Sequence, residues 1–189
     1  MCGRYSLFTE APSREVLEIL DKLRQDPQYG RMKTGEIFPS NLAPVLVPEG
    51  EVVVPRLFGW GFPSFRGKGL IINARSETIH EKRLFRGPME RERCVIPSTG
   101  FYEWDEEKHK FLFTLPDTPM LYMAGVHHLY EGGERFVILT TGANGSVADV
   151  HDRMPVILRE GDVEGWLYDP GVADAILQGV QPVLARRAS

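Results

Sequence analysis

The residue best placed for chemistry is Cys2, which directly follows Met1. If Met1 is removed, Cys2 carries a free α-amine and a thiol on adjacent carbons, a pair that no interior residue offers. The α-amine has a pKa of about 8 and the thiol of about 8.5, so both keep a nucleophilic fraction at neutral pH. A 1,2-aminothiol condenses with an aldehyde, first as a Schiff base and then as a thiazolidine. An N-terminal cysteine can also act as an acyl-transfer nucleophile with its own amine as base.

Three further polar residues interrupt apolar segments. Asn73 stands where an apolar strand becomes polar at residues 73–78, which is typical of a strand end that opens onto a site. Glu103 lies in the aromatic stretch at residues 101–104, where desolvation can raise the pKa of the carboxyl and suit it to proton transfer. His151 precedes a predicted strand, where an imidazole can act near neutral pH.

Each of these residues also has a purely structural interpretation. Cys2 alone could be a small residue at a frayed terminus. Asn73 could cap a turn, Glu103 could face outward from a strand, and His151 could belong to a surface turn. Cys94 is predicted to be a buried strand cysteine. No spacing typical of zinc ligands and no glycine-rich phosphate loop occurs in the sequence, so we expect neither a metal nor a cofactor.

Composition predicts an ordinary soluble protein. The chain has 189 residues, of which 42% are hydrophobic and 25% charged, and we expect one domain over residues 1–189. Two cysteines are too few for a disulfide framework, which favours a reducing, cytoplasmic environment. Neither a membrane-spanning run nor a signal peptide is evident, so we expect no membrane association. The net charge of −4 argues against a non-specific nucleic-acid coat protein but leaves room for a local basic groove.

The elements that position these residues are mostly predicted strands. Helical spacing is clear at residues 12–24, and shorter helices are predicted at 162–167 and 172–177. Short segments rich in β-branched and aromatic residues, separated by Gly and Pro, predict strands at 51–58, 70–74, 93–96, 110–115, 120–126, 136–141 and 155–158. Such a pattern predicts an antiparallel, barrel-like α+β fold.

Four segments, in this order, resemble the SRAP family (SOS response-associated peptidase), whose members process abasic sites in single-stranded DNA. They are Met-Cys-Gly-Arg-Tyr at 1–5, Asn-Ala-Arg-Ser-Glu-Thr at 73–78, Arg-Cys-Val-Ile-Pro-Ser-Thr-Gly-Phe-Tyr-Glu-Trp at 93–104, and His-Asp-Arg-Met-Pro-Val-Ile-Leu at 151–158. Each is weak alone, whereas four in order with Cys at position 2 are specific. The resemblance implies a twisted, partly closed antiparallel β-sheet with a few flanking helices.

The resemblance also implies a covalent chemistry. After Met1 removal, Cys2 would attack the ring-opened aldehyde of an abasic deoxyribose and end as a thiazolidine crosslink. Asn73 would orient this adduct, and Glu103 would donate and accept protons during ring opening and Schiff-base formation. His151 would assist at the sugar and influence reversal of the crosslink or strand cleavage.

Contacts to DNA follow from the same resemblance. Arginines of the motifs would grip phosphates, because the planar guanidinium matches two phosphate oxygens. A tryptophan next to Glu103 would lie near unpaired bases, since an aromatic ring can stack on any base. The predicted DNA-contacting residues are Arg4, Asn41, Arg75, Arg83, Trp104 and Arg153.

The sequence therefore predicts an enzyme that crosslinks abasic sites, with lyase-type activity, and that acts on single-stranded DNA as a cytoplasmic monomer, associated with the nucleoid when bound. Two alternatives stay open. One is a thiol autopeptidase, a hydrolase in which Cys2 is the nucleophile and Glu103 or His151 the base. The other is a non-catalytic reader of single-stranded or modified DNA, which would not need the thiol.

Overall fold

Two β-sheets dominate the computed structural model, which describes residues 2–10, 12–65 and 67–189. The strands are β1 (Arg4–Leu7), β2 (Gly35–Ile37), β3 (Leu42–Glu49), β4 (Val52–Trp60), β5 (Phe62–Pro63), β6 (Leu70–Ile71), β7 (Asn73–Arg75), β8 (Arg93–Ser98), β9 (Gly100–Trp104), β10 (Lys110–Thr114), β11 (Leu121–Tyr130), β12 (Gly133–Gly142), β13 (Arg153–Pro155), β14 (Ile157–Leu158) and β15 (Ala185–Ala188). The helices are α1 (Arg14–Leu23), α2 (Arg83–Arg91), α3 (Val163–Tyr168) and α4 (Pro170–Gln178). The predicted α+β class with a partly closed sheet is confirmed.

Five strands of the larger sheet close into a barrel in the order β12, β4, β3, β8, β11, because β12 pairs with both β4 and β11. The pairing of β12 with β4 is parallel and the other four are antiparallel. Strand β7 adds to β12 in parallel, with Asn73 opposite Ile138. Trp60, Met123 and Phe136 belong to one buried cluster of these strands.

The second sheet has the order β15, β10, β9, β1, β2 and is antiparallel throughout. Tyr5, Phe101 and Phe113 lie on its inner face and join the same buried cluster as the barrel residues. Gly100 begins β9 with φ of 153°, and a Cβ at this position would lie 2.7 Å from the carbonyl oxygen of Phe113. Glycine thus allows β9, which carries Glu103, to lie this close to β10.

Three of the four helices were predicted, with ends shifted by a few residues. Helix α1 begins after Ser13, whose Oγ accepts a hydrogen bond from the Val16 N–H at 3.4 Å. Helix α2 was not predicted, because Gly87 and Pro88 lie inside it and both disfavour helix. Its buried Phe85 and the packing around it outweigh that local preference.

The strand predictions found most barrel strands but missed several strands and some strand boundaries. The predicted strands at 70–74 and 155–158 are each two short strands, β6 with β7 and β13 with β14. Strands β1, β2, β3, β5, β9 and β15 were not predicted. The prolines at 44 and 48 concealed β3, and the others are short. No helix in the described ranges is long and apolar enough to cross a membrane.

Candidate functional site

Two of the predicted site residues, Cys2 and Asn73, come together from the two sheets. Cys2 lies two residues before the start of β1 in the five-stranded sheet, and Asn73 begins β7 of the larger sheet. The Asn73 side-chain Nδ2 donates a hydrogen bond to the carbonyl oxygen of Cys2 at 2.9 Å. The Asn73 Oδ1 is buried and accepts no hydrogen bond among the described residues. Asn73 therefore positions Cys2 and leaves one acceptor available beside it. Met1 lies outside the described residues, so its removal stays a prediction.

The thiol of Cys2 is fully buried, and its Sγ donates to the carbonyl oxygen of Arg4 at 3.7 Å. Burial raises the pKa of this thiol far above its usual range, and the negative charge of Glu103 raises it further. The thiol is therefore protonated at neutral pH, which makes it a poor first nucleophile.

Glu103 lies on β9 opposite Phe111 of β10, and only 3% of it is exposed. Burial raises the pKa of this carboxyl to about 7, and the nearby charge of Asp152 also raises it. Asp152, whose charge acts on Glu103, directly follows His151 in the chain. A carboxyl with a pKa near 7 can both accept and donate a proton at neutral pH, as acid–base catalysis requires.

His151 lies near the end of the loop between β12 and β13, which is closed by a hydrogen bond from the Ala143 N–H to the Asp152 carbonyl oxygen at 3.0 Å. Its Nδ1 lies 3.0 Å from the Arg153 backbone nitrogen and 3.0 Å from Asp152 Oδ1. Burial lowers the pKa of His151, which favours the neutral ring. A neutral ring that accepts from the Arg153 N–H at Nδ1 carries its proton on Nε2 and can donate it.

Arg153 is engaged by protein groups. Its Nη1 and Nη2 donate to Glu77 Oε1 and Oε2 at 2.6 and 2.9 Å, and Nη2 also donates to the Thr140 carbonyl oxygen at 2.7 Å. Only 11% of its side chain is exposed. This pair ties β13 to the turn that follows β7, and thus His151 to Asn73. The predicted phosphate contact of Arg153 stays a prediction.

Arg4 and Trp104 lie together on the outer face of the five-stranded sheet. The Arg4 guanidinium carbon is 3.8 Å from the ring centroid of Phe38 and 5.2 Å from that of Trp104. Its Nη1 donates to Glu36 Oε2 at 3.0 Å. Phe38 is 40% exposed, so an aromatic surface borders the arginine.

The remaining three predicted DNA contacts differ in their surroundings. Asn41 accepts a hydrogen bond from the Phe38 N–H at its Oδ1, 3.0 Å away, and so shapes the turn that presents Phe38. Arg75 is exposed at the end of β7, two residues after Asn73. Arg83 begins α2 and lines a cavity of about 800 Å³ with Phe65 and Tyr130.

Three residues at the site were not apparent from the sequence. Glu36 binds Arg4, Phe38 covers its guanidinium, and Glu77 holds Arg153. Glu77 is the one acid in the polar segment at 73–78, which is a signal that could have identified it. Glu36 lies on a strand too short to be recognised from its pattern, and Phe38 follows directly after that strand.

A family model described as SOS response associated peptidase (SRAP) matches residues 1–187 of the chain. The abasic site processing protein YoqW of Bacillus subtilis (strain 168) is 32% identical over 202 residues, which cover 94% of this chain and 87% of the relative. The abasic site processing protein YedK of Escherichia coli (strain K12) is 27% identical over 179 residues, 88% of this chain and 79% of the relative. A crystal structure of a protein from Bacteroides thetaiotaomicron superposes with a TM-score of 0.76 at 25% identity, covering 99% of this chain and 91% of that one.

Proposed function

Because this chain belongs to the SOS response associated peptidase (SRAP) family, we propose that it processes abasic sites in single-stranded DNA by bonding covalently to them. Relatives that share most of its length are named abasic site processing proteins. The observation that carries the proposal is the position of Cys2, held by Asn73 at 2.9 Å and beside a carboxyl, Glu103, with a pKa of about 7.

The first bond forms at the α-amine of Cys2 once Met1 has been removed. The thiol is protonated in its buried position, so the amine, with an ordinary pKa of about 8, is the better nucleophile. It attacks the aldehyde carbon of the ring-opened deoxyribose to give a carbinolamine. Loss of water then gives a Schiff base, and protonated Glu103 supplies the proton that the departing hydroxyl needs.

The second bond forms between Cys2 Sγ and the former aldehyde carbon. The Schiff base keeps the N–H of the amine and is therefore protonated. As the thiol adds to its carbon, Glu103 as carboxylate takes the thiol proton, and the electron pair of the carbon–nitrogen double bond returns to the nitrogen. The product is a thiazolidine, and the whole sequence releases one water with no oxidation or reduction. The unoccupied Oδ1 of Asn73 and the Nε2–H of His151 are suited to hold the sugar hydroxyls during these steps.

The DNA strand would be held by groups around this centre. Arg75 is exposed beside Asn73 and supplies a phosphate contact, whereas Arg4 and Trp104 offer a cation and an aromatic ring on the other side of Cys2. Arg153 stabilises the arrangement through Glu77 and can share its outer edge with a phosphate.

The Cys2 thiol distinguishes the crosslinking enzyme from its two alternatives, the thiol autopeptidase and the non-catalytic reader. A thiol autopeptidase needs a thiolate, which burial and the charge of Glu103 both disfavour at Cys2. A non-catalytic reader needs no reaction at Cys2, so it would bind abasic DNA equally well with alanine there.

The test is adduct formation with a single-stranded oligonucleotide that carries one abasic site. After intact mass has established that Met1 is absent, the protein should give a band that survives denaturing electrophoresis, with the mass of protein plus DNA less one water. An oligonucleotide without the abasic site should give none.

Cys2→Ala provides the matched control, since it keeps the α-amine and lacks the thiol. It should give an adduct only when borohydride reduces the Schiff base. A stable Cys2→Ala adduct without reduction would rule out the thiazolidine. Processed wild-type protein that yields no adduct would overturn the proposed function.

A further inference from the structure

The outer face of the five-stranded sheet carries a carboxylate that joins two cations. Glu36 on β2 accepts from Arg4 Nη1 at 3.0 Å through Oε2 and from Lys110 Nζ at 2.5 Å through Oε1. Strands β2 and β10 are separated by β1 and β9, which at about 4.8 Å per strand is a span of about 14 Å. Glu36 and Lys110 must therefore extend toward each other across the sheet.

Aromatic rings support both cations. Lys110 Nζ is 4.1 Å from the ring centroid of Tyr102 and 6.0 Å from that of Trp104, while Arg4 lies over Phe38. The side chains of Arg4 and Lys110 are only 27% and 20% exposed. The Arg4 Nε is buried and has no hydrogen-bond partner among the described residues. The two cations are thus fixed in place, unlike ordinary solvated surface charges.

This cluster borders the reactive residues. Arg4 is two residues from Cys2, its backbone carbonyl oxygen accepts the hydrogen bond from the Cys2 thiol, and Trp104 directly follows Glu103. A nucleotide next to one held at Cys2 would carry its phosphate toward this face. Glu36 engages one N–H of Arg4 and one of Lys110, so each cation keeps donors for a second anion.

Building on the proposed function, we propose that Lys110 is a further phosphate contact beside Arg4, and that Glu36 holds this pair in position while weakening its attraction for phosphate. The carboxylate cancels one of the two positive charges, so an undamaged strand is held weakly. A strand with an abasic site gains the covalent bond at Cys2 in addition and is retained. Glu36 is then a specificity-determining residue that limits binding to intact DNA.

The test compares three variants in binding to an intact single-stranded oligonucleotide by fluorescence anisotropy over a range of salt concentrations. Glu36→Gln removes the charge and keeps the shape, and it should raise affinity at low salt roughly five-fold, the effect of one unit charge near another in water. Lys110→Met should lower affinity and reduce the slope of log K against log salt by about 0.7. Lys110→Arg, which keeps the charge, should bind like the wild type.

Glu49→Gln is the matched control, because Glu49 also pairs with an arginine, Arg56 Nη2 at 2.5 Å, but lies on the β3–β4 hairpin. It should leave DNA affinity unchanged. A Glu36→Gln protein that binds as weakly as Lys110→Met would show that Glu36 only positions the cations. Unchanged binding in Lys110→Met would remove Lys110 from the site, and either result overturns the inference.

The outcome is distinguishable from failure of the proposed function. If the wild type binds intact DNA and the affinities of the variants change as expected, but no adduct forms on abasic DNA, then the phosphate-binding role of Arg4 and Lys110 is supported and the covalent reaction is ruled out. If adducts form and the variants bind like the wild type, only the role of Glu36 and Lys110 is lost.

Discussion

The side-chain amide of Asn73 donates to the carbonyl oxygen of Cys2 across 2.9 Å, although 71 residues separate the two along the chain. Asn73 is itself fixed by the parallel pairing of β7 with β12, where it lies opposite Ile138. The segment ahead of β1 would otherwise fray, as chain ends do. This hydrogen bond therefore anchors Cys2, the residue proposed to react, to a strand that is paired with the barrel.

Replacing Asn73 tests that relationship. Asn73→Ala removes the hydrogen bond to Cys2, and we expect adduct formation on abasic DNA to slow by about 100-fold, the loss that a displacement of about 1 Å can cause. The rate is measured by quenched-time denaturing gels. Affinity for intact DNA and the melting temperature serve as controls and should change little. A wild-type rate in Asn73→Ala would mean that Cys2 is positioned by other contacts.

Proton transfer by Glu103 is tested with Glu103→Gln, which keeps the size of the side chain but cannot ionise. We expect DNA affinity to be retained and adduct formation to slow by about 10²–10⁴-fold, the usual contribution of a general acid–base. Rates are compared with the wild type from pH 5 to 8. Equal rates across that range would remove Glu103 from the mechanism.

The pKa of Glu103 also predicts how stability changes with pH. Burial raises this pKa from 4.5 to about 7, so at low pH the group is protonated in both the folded and unfolded states and imposes no penalty. As pH rises, the unfolded chain ionises first, and stability is lost until pH passes about 7. The stability of Glu103→Gln relative to wild type should therefore increase by roughly 2–3 kcal/mol between pH 5 and 8, as measured by urea unfolding. A difference independent of pH would contradict the raised pKa.

Arg75 and Arg153 should respond differently to truncation. Arg75 is exposed, so Arg75→Ala should weaken binding to single strands of any sequence, lower the salt slope by about 0.7 and leave the melting temperature unchanged. Arg153→Ala breaks the paired contact with Glu77 and should lower the melting temperature as well. Arg14→Ala, at an exposed ion pair on α1, is the control for both variants. An unchanged salt slope in Arg75→Ala would mean that this arginine contacts no phosphate.

His151 is predicted to matter more after capture than during it. His151→Ala should form the adduct within several-fold of the wild-type rate but slow its reversal or the cleavage of the strand about 100-fold, the lower end of the usual range for loss of a general acid–base. Preformed adduct is chased with excess unlabelled abasic DNA and sampled over time. His109→Ala, at an exposed turn, is the control. If His151→Ala failed to form the adduct but reversed a preformed adduct normally, His151 would act during adduct formation and not after it.

Much of the fold was predictable because its signals are local. The spacing of apolar residues in α1 and the β-branched runs of β8, β11 and β12 reflect which face each segment buries. Helix α2 escaped prediction since Gly87 and Pro88 oppose helix locally, and only burial of Phe85 and Met89 against the barrel compensates. Arg93, the first residue of the motif at 93–104, is only 6% exposed and donates to the backbone carbonyls of Met89, Trp166 and Leu167, contacts that its sequence position does not reveal.

The sequence by itself determined which residues can react, because the chemistry of Cys2, Asn73, Glu103 and His151 resides in their side chains and in the motifs that contain them. Their proximity was decided only by the tertiary structure, since hydrogen bonds and electrostatic shifts depend on distances between strands far apart in the chain. The same holds for the surroundings of each charge. Nothing near Arg153 in the sequence reveals its pairing with Glu77, and no local pattern joins Glu36 to Lys110. Those contacts exist because β2 and β10 share one sheet, whose outer face both side chains cross, and because β7 and β13 both pair with β12.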